Sequence, residues 1–262
     1  MKAIALSHIM RRELHLTALS GMPEIARDAS LGALLFDAMA RAQIKLQAGD
    51  ILVLAQKIVS KAEGRVVQLA SVTPSERAQS IAREANKDPR IVELILRESR
   101  KVLRVKQGII IVEHKLGFVM ANAGIDQSNV PGGDDAALLL PEAPDASAHK
   151  LRDELREICG VEIGVLIIDS FGRAWRNGVT GTAIGIAGLP GLVDLRGSKD
   201  REGRKLKVTQ VAVADELAAA ASLLMGQADE DTPTVLVRGF PYALRDGSVK
   251  ELLRAEAEDL FR

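Results

Sequence analysis

The chain has 262 residues, 47% hydrophobic and 27% charged, with 35 Lys plus Arg balancing 35 Asp plus Glu. That length buries a substantial core and suits one integrated domain or two small lobes. The zero net charge removes any electrostatic argument for nucleic acid or a membrane surface as partner, without excluding a local basic pocket.

At the N-terminus, MKAIALSHIMRREL is too poor in apolar residues for a signal peptide. No uncharged apolar run approaches the roughly 18–20 residues needed to span a bilayer, so the cytoplasm is the default compartment. Ile51–Ala55 reads as a buried strand after the turn-like Ala48-Gly49-Asp50. Thr73-Pro74-Ser75-Glu76 predicts a helix start, with Thr73 as cap, Pro74 at the first helical position and Glu76 closing a capping box. That helix should end near Asn86. Asp88-Pro89 starts another, with Ile91, Leu94 and Ile95 on one face.

Val105–Glu113 and Gly117–Ala121 predict a strand pair around His114-Lys115. Residues 129–148 form a loop rich in Gly, Pro and Asp, anchored by Leu138–Leu140. A helix around Ala148–Cys159 closes at Gly160, with Cys159 as a small core residue; a lone cysteine forms no intrachain disulfide. Val161–Ile168 predicts a central strand covered on both faces. A long Ala/Leu-rich helix covers Ala212–Met225, Thr234–Val237 is a strand, and Ser248 with Glu251 makes a capping box for a C-terminal helix. Strands and helices are interspersed without a regular βαβ rhythm, which predicts a mixed α+β fold without repeats or an interdomain linker.

Several common devices are absent. No two glycines are separated by one residue, so the dinucleotide fingerprint G-x-G-x-x-G cannot occur, and the Walker pattern is missing. The four histidines are scattered and there is no cysteine cluster, which disfavours zinc.

Four stretches can carry chemistry. IGVLIIDSFGRAWRNG runs from an apolar strand into Asp169-Ser170 and then Arg173 and Arg176: hard oxygen ligands for a divalent cation, followed by guanidinium forks for a phosphate or carboxylate. The same residues also fit a plain strand-ending turn with solvated arginines. GFVMANAGIDQSNV places Asp126 and Asn129 in a small-residue loop, as a polar turn or a metal-binding one. In QKIVSKAEG, a helix would put Lys57 and Lys61 on one face, either solvated or meeting one polyphosphate. In LMGQADEDT the acids follow a helix C-terminus, where they are unfavourable unless a cation relieves them.

In this order ILVLAQKIVSKAEGR, NAGIDQSNV, IIDSFGRAWRNGVTGTAIGIAG, GRKLKVTQVAVADELAAAASLLMGQ and VRGF make the chain resemble the coenzyme F420 γ-glutamyl ligase family, from Gly21 to the C-terminus. The resemblance implies a single ligase region over 1–262, without the C-terminal flavin-binding domain of some relatives, and an intertwined homodimer. It implies a GTP-dependent ligase that joins L-glutamate to the lactyl carboxylate of the coenzyme F420 precursor, with extension into a γ-glutamyl tail as a further step. Two divalent ions, Mg²⁺ or Mn²⁺, would be held by Asp126 and Asp169 and by Ser170 and Gln227, with K⁺ as an additional ion. Nucleotide contacts would come from Met22, Pro23, Glu24, Ile25, Gln56, Lys57, Lys61 and Asn129, and from Met225, Gly226, Gln227, Ala228, Asp229, Glu230, Asp231 and Thr232. Met22-Pro23-Glu24-Ile25 departs from the more apolar family version, and Gln227 stands where relatives vary between Gln and Glu.

The implied chemistry passes the γ-phosphoryl group to the precursor carboxylate, and the glutamate amine then attacks the acyl phosphate. Position and charge give Arg173 and Arg176 the task of orienting an acidic substrate. Two other readings remain: the same chemistry on another carboxylate, or a GTP- and metal-sensing module without catalysis.

Overall fold

The computed structural model describes residues 13–128, 130 and 132–259; the N-terminal stretch Met1–Arg12 and Asn129 lie outside them. In chain order the elements are β1 (His15–Leu19), α1 (Leu31–Arg41), β2 (Ile51–Ala55), α2 (Gln56–Ala62), β3 (Val66–Gln68), α3 (Glu76–Ala85), α4 (Pro89–Arg97), β4 (Ser99–Lys106), β5 (Ile109–His114) and β6 (Val119–Ala121). There follow β7 (Ala136–Leu138), α5 (Pro144–Cys159), β8 (Gly164–Arg173), β9 (Arg176–Ala187), β10 (Val193–Asp194), β11 (Gln210–Val211), α6 (Val213–Met225) and β12 (Thr234–Arg238). The mixed α+β expectation holds. No helix among the described residues is long and apolar enough to cross a membrane.

The main sheet runs β1-β12-β2-β8-β9, and only the β2–β8 pair is parallel. Ile51–Leu54 and Gly164–Ile168 are fully buried, which is why both stretches are apolar without alternation. A register shift at Ile184 makes a bulge in β9, so Gly181 and Gly185 point to opposite faces. A side chain on Gly181 would overlap the Ala218 carbonyl of α6, and one on Gly185 would come within 2.5 Å of the Pro144 carbonyl oxygen of α5. The two glycines therefore let one helix settle on each face. The Arg238 of VRGF proves structural: its Nε and Nη2 donate to Asp50 at 2.8 and 2.7 Å, a buried carboxylate that also accepts the Gln47 N–H at 2.8 Å. This pins the end of β12 to the start of β2.

Residues between α2 and α5 form a lobe with its own apolar cluster, where Ile91, Val92, Ile95, Ile110 and Val112 are buried between the α3–α4 pair and the β4-β5-β6 meander. It leaves and rejoins the body at adjacent points, where the Leu139 N–H donates to the Arg65 carbonyl and β3 pairs with β7. Phe118 of the lobe meets Phe171 of β8 edge-on, with centroids 5.8 Å apart.

Several expectations need correction. Val105–Glu113 is two strands, because Gln107-Gly108 turns the chain with Gly108 at φ +84°. Ser75 caps α3, accepting the Ala78 N–H at 3.2 Å, so Thr73 is not the cap and Glu76 is the first helical residue. β8 does not stop at Asp169 but continues to Arg173 in a ribbon with β9. The Ser248–Glu251 capping box is present, yet it caps a single 3₁₀ turn, Val249–Glu251. Cys159 is half-buried rather than in the core, and burial raises its thiol pKa.

His114, at the end of β5, is buried and accepts the Leu116 N–H on Nδ1 at 3.0 Å. Its proton therefore sits on Nε2, which has no hydrogen-bond partner and lies 3.8 Å from Glu98 Oε2. Burial, then the charges of Arg65, Lys115 and Arg100, push its pKa from 6.5 down to about 4. Below pH 6.5 the unfolded chain takes up a proton that the folded ring refuses. This contribution to stability is thus complete above pH 6.5 and is lost as pH falls toward 4, by up to about 3 kcal/mol. Denaturant titrations of His114→Asn, whose amide oxygen can still accept the Leu116 N–H, should show a shallower stability loss between pH 6.5 and 4.5 than the parent chain.

Candidate active site

Ala55 and Ile168 are register partners in the parallel pair, so Gln56-Lys57 and Asp169-Ser170 lie side by side, where β2 ends and β8 runs on beyond it paired with β9 alone. Crevices beyond such strand ends are where α/β sheets bind ligands. Here the crevice is a cleft of about 680 Å³, walled by α2, the end of α6, the 226–233 turn and the loop that precedes α1. α2 is helical, the condition under which the two lysines share a face, and Lys57 and Lys61 both line the cleft.

Lys57 Nζ lies 2.7 Å from Asp126 Oδ2 and donates to Ser128 Oγ at 2.9 Å. Asp126 Oδ1 in turn accepts the Ser128 N–H at 2.7 Å and its hydroxyl at 2.8 Å. The backbone of Asp126 is fixed by a two-way bridge to Leu138, so β7 sets the position of this carboxylate. Burial acts to raise the Asp126 pKa, but the bonds from Lys57 and Ser128 outweigh it and hold the carboxyl below its usual range. Asp169 behaves oppositely. Burial pushes its carboxyl up to about 7; the Asp126 charge adds to that, while the Ser170 N–H and Lys57 oppose it. Two carboxylates, one on a loop and one on β8, thus act on each other and both feel the Lys57 charge. Asp126 and Asp169 therefore lie on the same side of the molecule.

Ser170 Oγ donates to Gln227 Oε1 at 2.9 Å, joining β8 to the turn after α6. That turn begins at Gly226, whose φ of +71° and crowding against the Glu230 carboxylate suit only glycine. Met22, Pro23, Glu24, Ile25, Gln56 and Met225–Thr232 line the same cleft. Gln56 is buried; its Oε1 accepts from Ser60 at 2.7 Å, and its Nε2 has no partner.

Arg173 and Arg176 are elsewhere. They sit on the exposed β8–β9 ribbon, where Arg173 donates to the Asn177 carbonyl at 3.2 Å, and neither lines the cleft. Ser128 and Ser222 were overlooked in the sequence. Ser128 is two residues from Asp126 and was open to notice as an Asx-type turn partner. Ser222, which accepts the Gly181 N–H at 3.3 Å, carries no local signal.

A family profile described as F420-0:Gamma-glutamyl ligase matches residues 21–239. The chain belongs to that family. It is 47% identical over 251 residues to the coenzyme F420:L-glutamate ligase of Methanothermobacter thermautotrophicus, covering 95% of this chain and 99% of that protein. To the proteins of the same name from Methanopyrus kandleri and Archaeoglobus fulgidus it is 48% and 43% identical, covering 83% and 92% of this chain and 87% and 94% of theirs. The family match begins where the resemblance read from the sequence begins, at Gly21, and the cleft residues numbered above all fall within it.

The oxygen-rich donor set suits a hard divalent cation: two carboxylates, a hydroxyl and an amide oxygen. The fit is supported by Asp126 and Asp169, which already face a cation, the Lys57 ammonium. Among the described residues no cluster of three Asp, Glu, His or Cys side chains accompanies them. A set this sparse matches Mg²⁺ or Mn²⁺ shared with ligand phosphates better than an all-protein cage.

Proposed function

We propose that this protein is a GTP-dependent ligase that joins the amine of L-glutamate to the carboxylate of the coenzyme F420 precursor. The observation that carries the reading is the meeting of Asp169, Lys57 and Lys61 at one crevice, with Asp126 held behind it on Lys57, in a chain whose relatives bear the name coenzyme F420:L-glutamate ligase.

Amide formation in water needs an activated carboxylate. A carboxylate oxygen of the precursor attacks the γ-phosphorus, GDP leaves, and the amine then attacks the acyl carbon and expels phosphate. Such a transfer depends on alignment and charge neutralisation more than on covalent help. Lys57 and Lys61 supply positive charge from one helix face, while the buried Met22, Ile25 and Met225 offer apolar surface to a base. Asp126 and Asp169 would hold one divalent ion and Ser170 with Gln227 another. When bound, these ions would neutralise the triphosphate and keep it in line. K⁺ would be a further ion of the same cleft. Arg173 and Arg176, outside the cleft of one protomer, would act on an acidic substrate arriving along the ribbon or from a second copy.

A homodimer is part of this proposal. Trp175 at the ribbon tip is 88% exposed and Leu223 of α6 is 82% exposed, apolar surface that a second copy would cover. Sedimentation at micromolar concentration measures it.

Incubation with GTP, Mg²⁺ or Mn²⁺, L-glutamate and the precursor should yield a glutamyl adduct by mass spectrometry, with GDP released in equal amount. A precursor labelled with ¹⁸O in its carboxylate should pass one label to inorganic phosphate. Product without label transfer would refute the acyl phosphate. GTP hydrolysis or binding without adduct would favour the sensing module.

A further inference from the structure

Three of the chain's own carboxylates occupy the groups of this cleft that would receive an anion. Asp126 sits on Lys57, Glu24 Oε1 accepts from Lys61 Nζ at 2.7 Å, and Glu230 Oε2 accepts the Ala228 N–H at 2.8 Å. The Glu24–Lys61 pair is lopsided. The lysine side chain is 12% exposed and belongs to the wall, whereas the glutamate side chain is 71% exposed and reaches in from the loop before α1. Lys61 is the only side-chain partner of Glu24 among the described residues. Glu230 curls back over Gly226 into a turn whose N–H groups, at Ala228, Glu230 and Gln227, hold its carboxyl below the usual range. Successive N–H groups of this kind make an anion-binding concavity.

We propose that Glu24, together with Glu230, is a built-in competitor of the polyanion: its carboxylate stands on Lys61 in the place of a phosphate and must be displaced when a polyphosphate binds. The inference rests on the reading of the cleft as a polyphosphate site. Asp126 differs from the other two, since once displaced from Lys57 it would still have a cation to hold. Glu24 and Glu230 gain nothing in exchange and simply return to water. A ligand long enough to reach Lys57, Lys61 and the 226–230 turn together displaces all three carboxylates. A shorter one leaves some in place, so that a returning Glu24 favours departure of a diphosphate over a triphosphate.

The test is calorimetric titration of the full chain with inorganic tripolyphosphate and, separately, GTP, at fixed Mg²⁺ and ionic strength. Glu24→Gln should bind tripolyphosphate about three- to fivefold tighter, as expected for loss of a partly exposed ion pair that competes with the ligand. In a Lys61→Met background the same change should have no effect, and Lys61→Gln serves if that variant does not fold. Unchanged or weaker binding in Glu24→Gln would overturn the proposal, weaker binding meaning that Glu24 contacts the ligand directly. Equal tightening with and without Lys61 would overturn it too, by reducing the effect to net charge. If the parent chain binds neither tripolyphosphate nor GTP, the polyphosphate reading itself fails, a result distinct from binding that Glu24 does not influence.

Discussion

Asp169→Asn should cut kcat/KM for ligation by at least about 10³-fold while shifting the melting temperature by no more than about 2 °C. The carboxylate stands on a strand whose preceding five residues are fully buried, so the backbone holds its place whatever the side chain. Asparagine keeps the shape and can still accept the Ser170 N–H. What it lacks is the charge. The folded chain derives little from that charge, because burial and Asp126 both work against it. In the proposed reaction a triphosphate bearing several negative charges would depend on it through the cation it would hold. Mass-spectrometric turnover at saturating Mg²⁺ and Mn²⁺, read beside a thermal melt, separates the two effects. Turnover near that of the parent chain would remove Asp169 from the machinery, and a collapse of the melt would make it structural.

Gly181→Val should lower stability by about 3 kcal/mol, or roughly 6–12 °C in melting temperature for a chain of this size. Its Cβ would overlap the Ala218 carbonyl and lie 2.8 Å from Ser222 Cβ, both on α6. Backbone atoms cannot rotate aside, so the helix must lift. Because α6 ends at Met225 and leads into Gln227, the bond between Ser170 and Gln227 should be lost along with stability. Gly172→Ala is the matched control, since nothing lies within 4 Å of the added carbon there and no left-handed backbone is required. A melt that separates these two substitutions by less than about 1 °C would contradict the packing described.

Much of the fold was legible wherever a local signal acts alone. Asp88-Pro89 starts α4, Gly160 ends α5, and the apolar run at Ile51 makes β2, since capping and burial are read over a few residues. The misjudged boundaries lie where two local signals compete. Ser75 won over Thr73 because Glu93, from α4, accepts both the N–H and the hydroxyl of Ser75, at 3.0 and 2.7 Å. Polar residues after Ile168 looked like a strand end, although β9 continues to pair with them as far as Arg173. At the site, the individual stretches were visible but their meeting was not. Lys57 and Asp126 are 69 positions apart, and only the parallel pairing of β2 with β8 and the return of β7 bring them together. The Glu24–Lys61 pair was equally hidden, since it depends on the loop before α1 returning to α2, where the Asp28 N–H donates to the Ala62 carbonyl at 2.8 Å.

Asp126 belongs to the lobe with a separate apolar cluster, whereas Asp169 belongs to the main sheet. Two regions with different apolar clusters thus each contribute half of a single electrostatic device. Its durability is set by the weaker of the two, and changes in the lobe far from the crevice can retune the chemistry without disturbing the sheet beneath it.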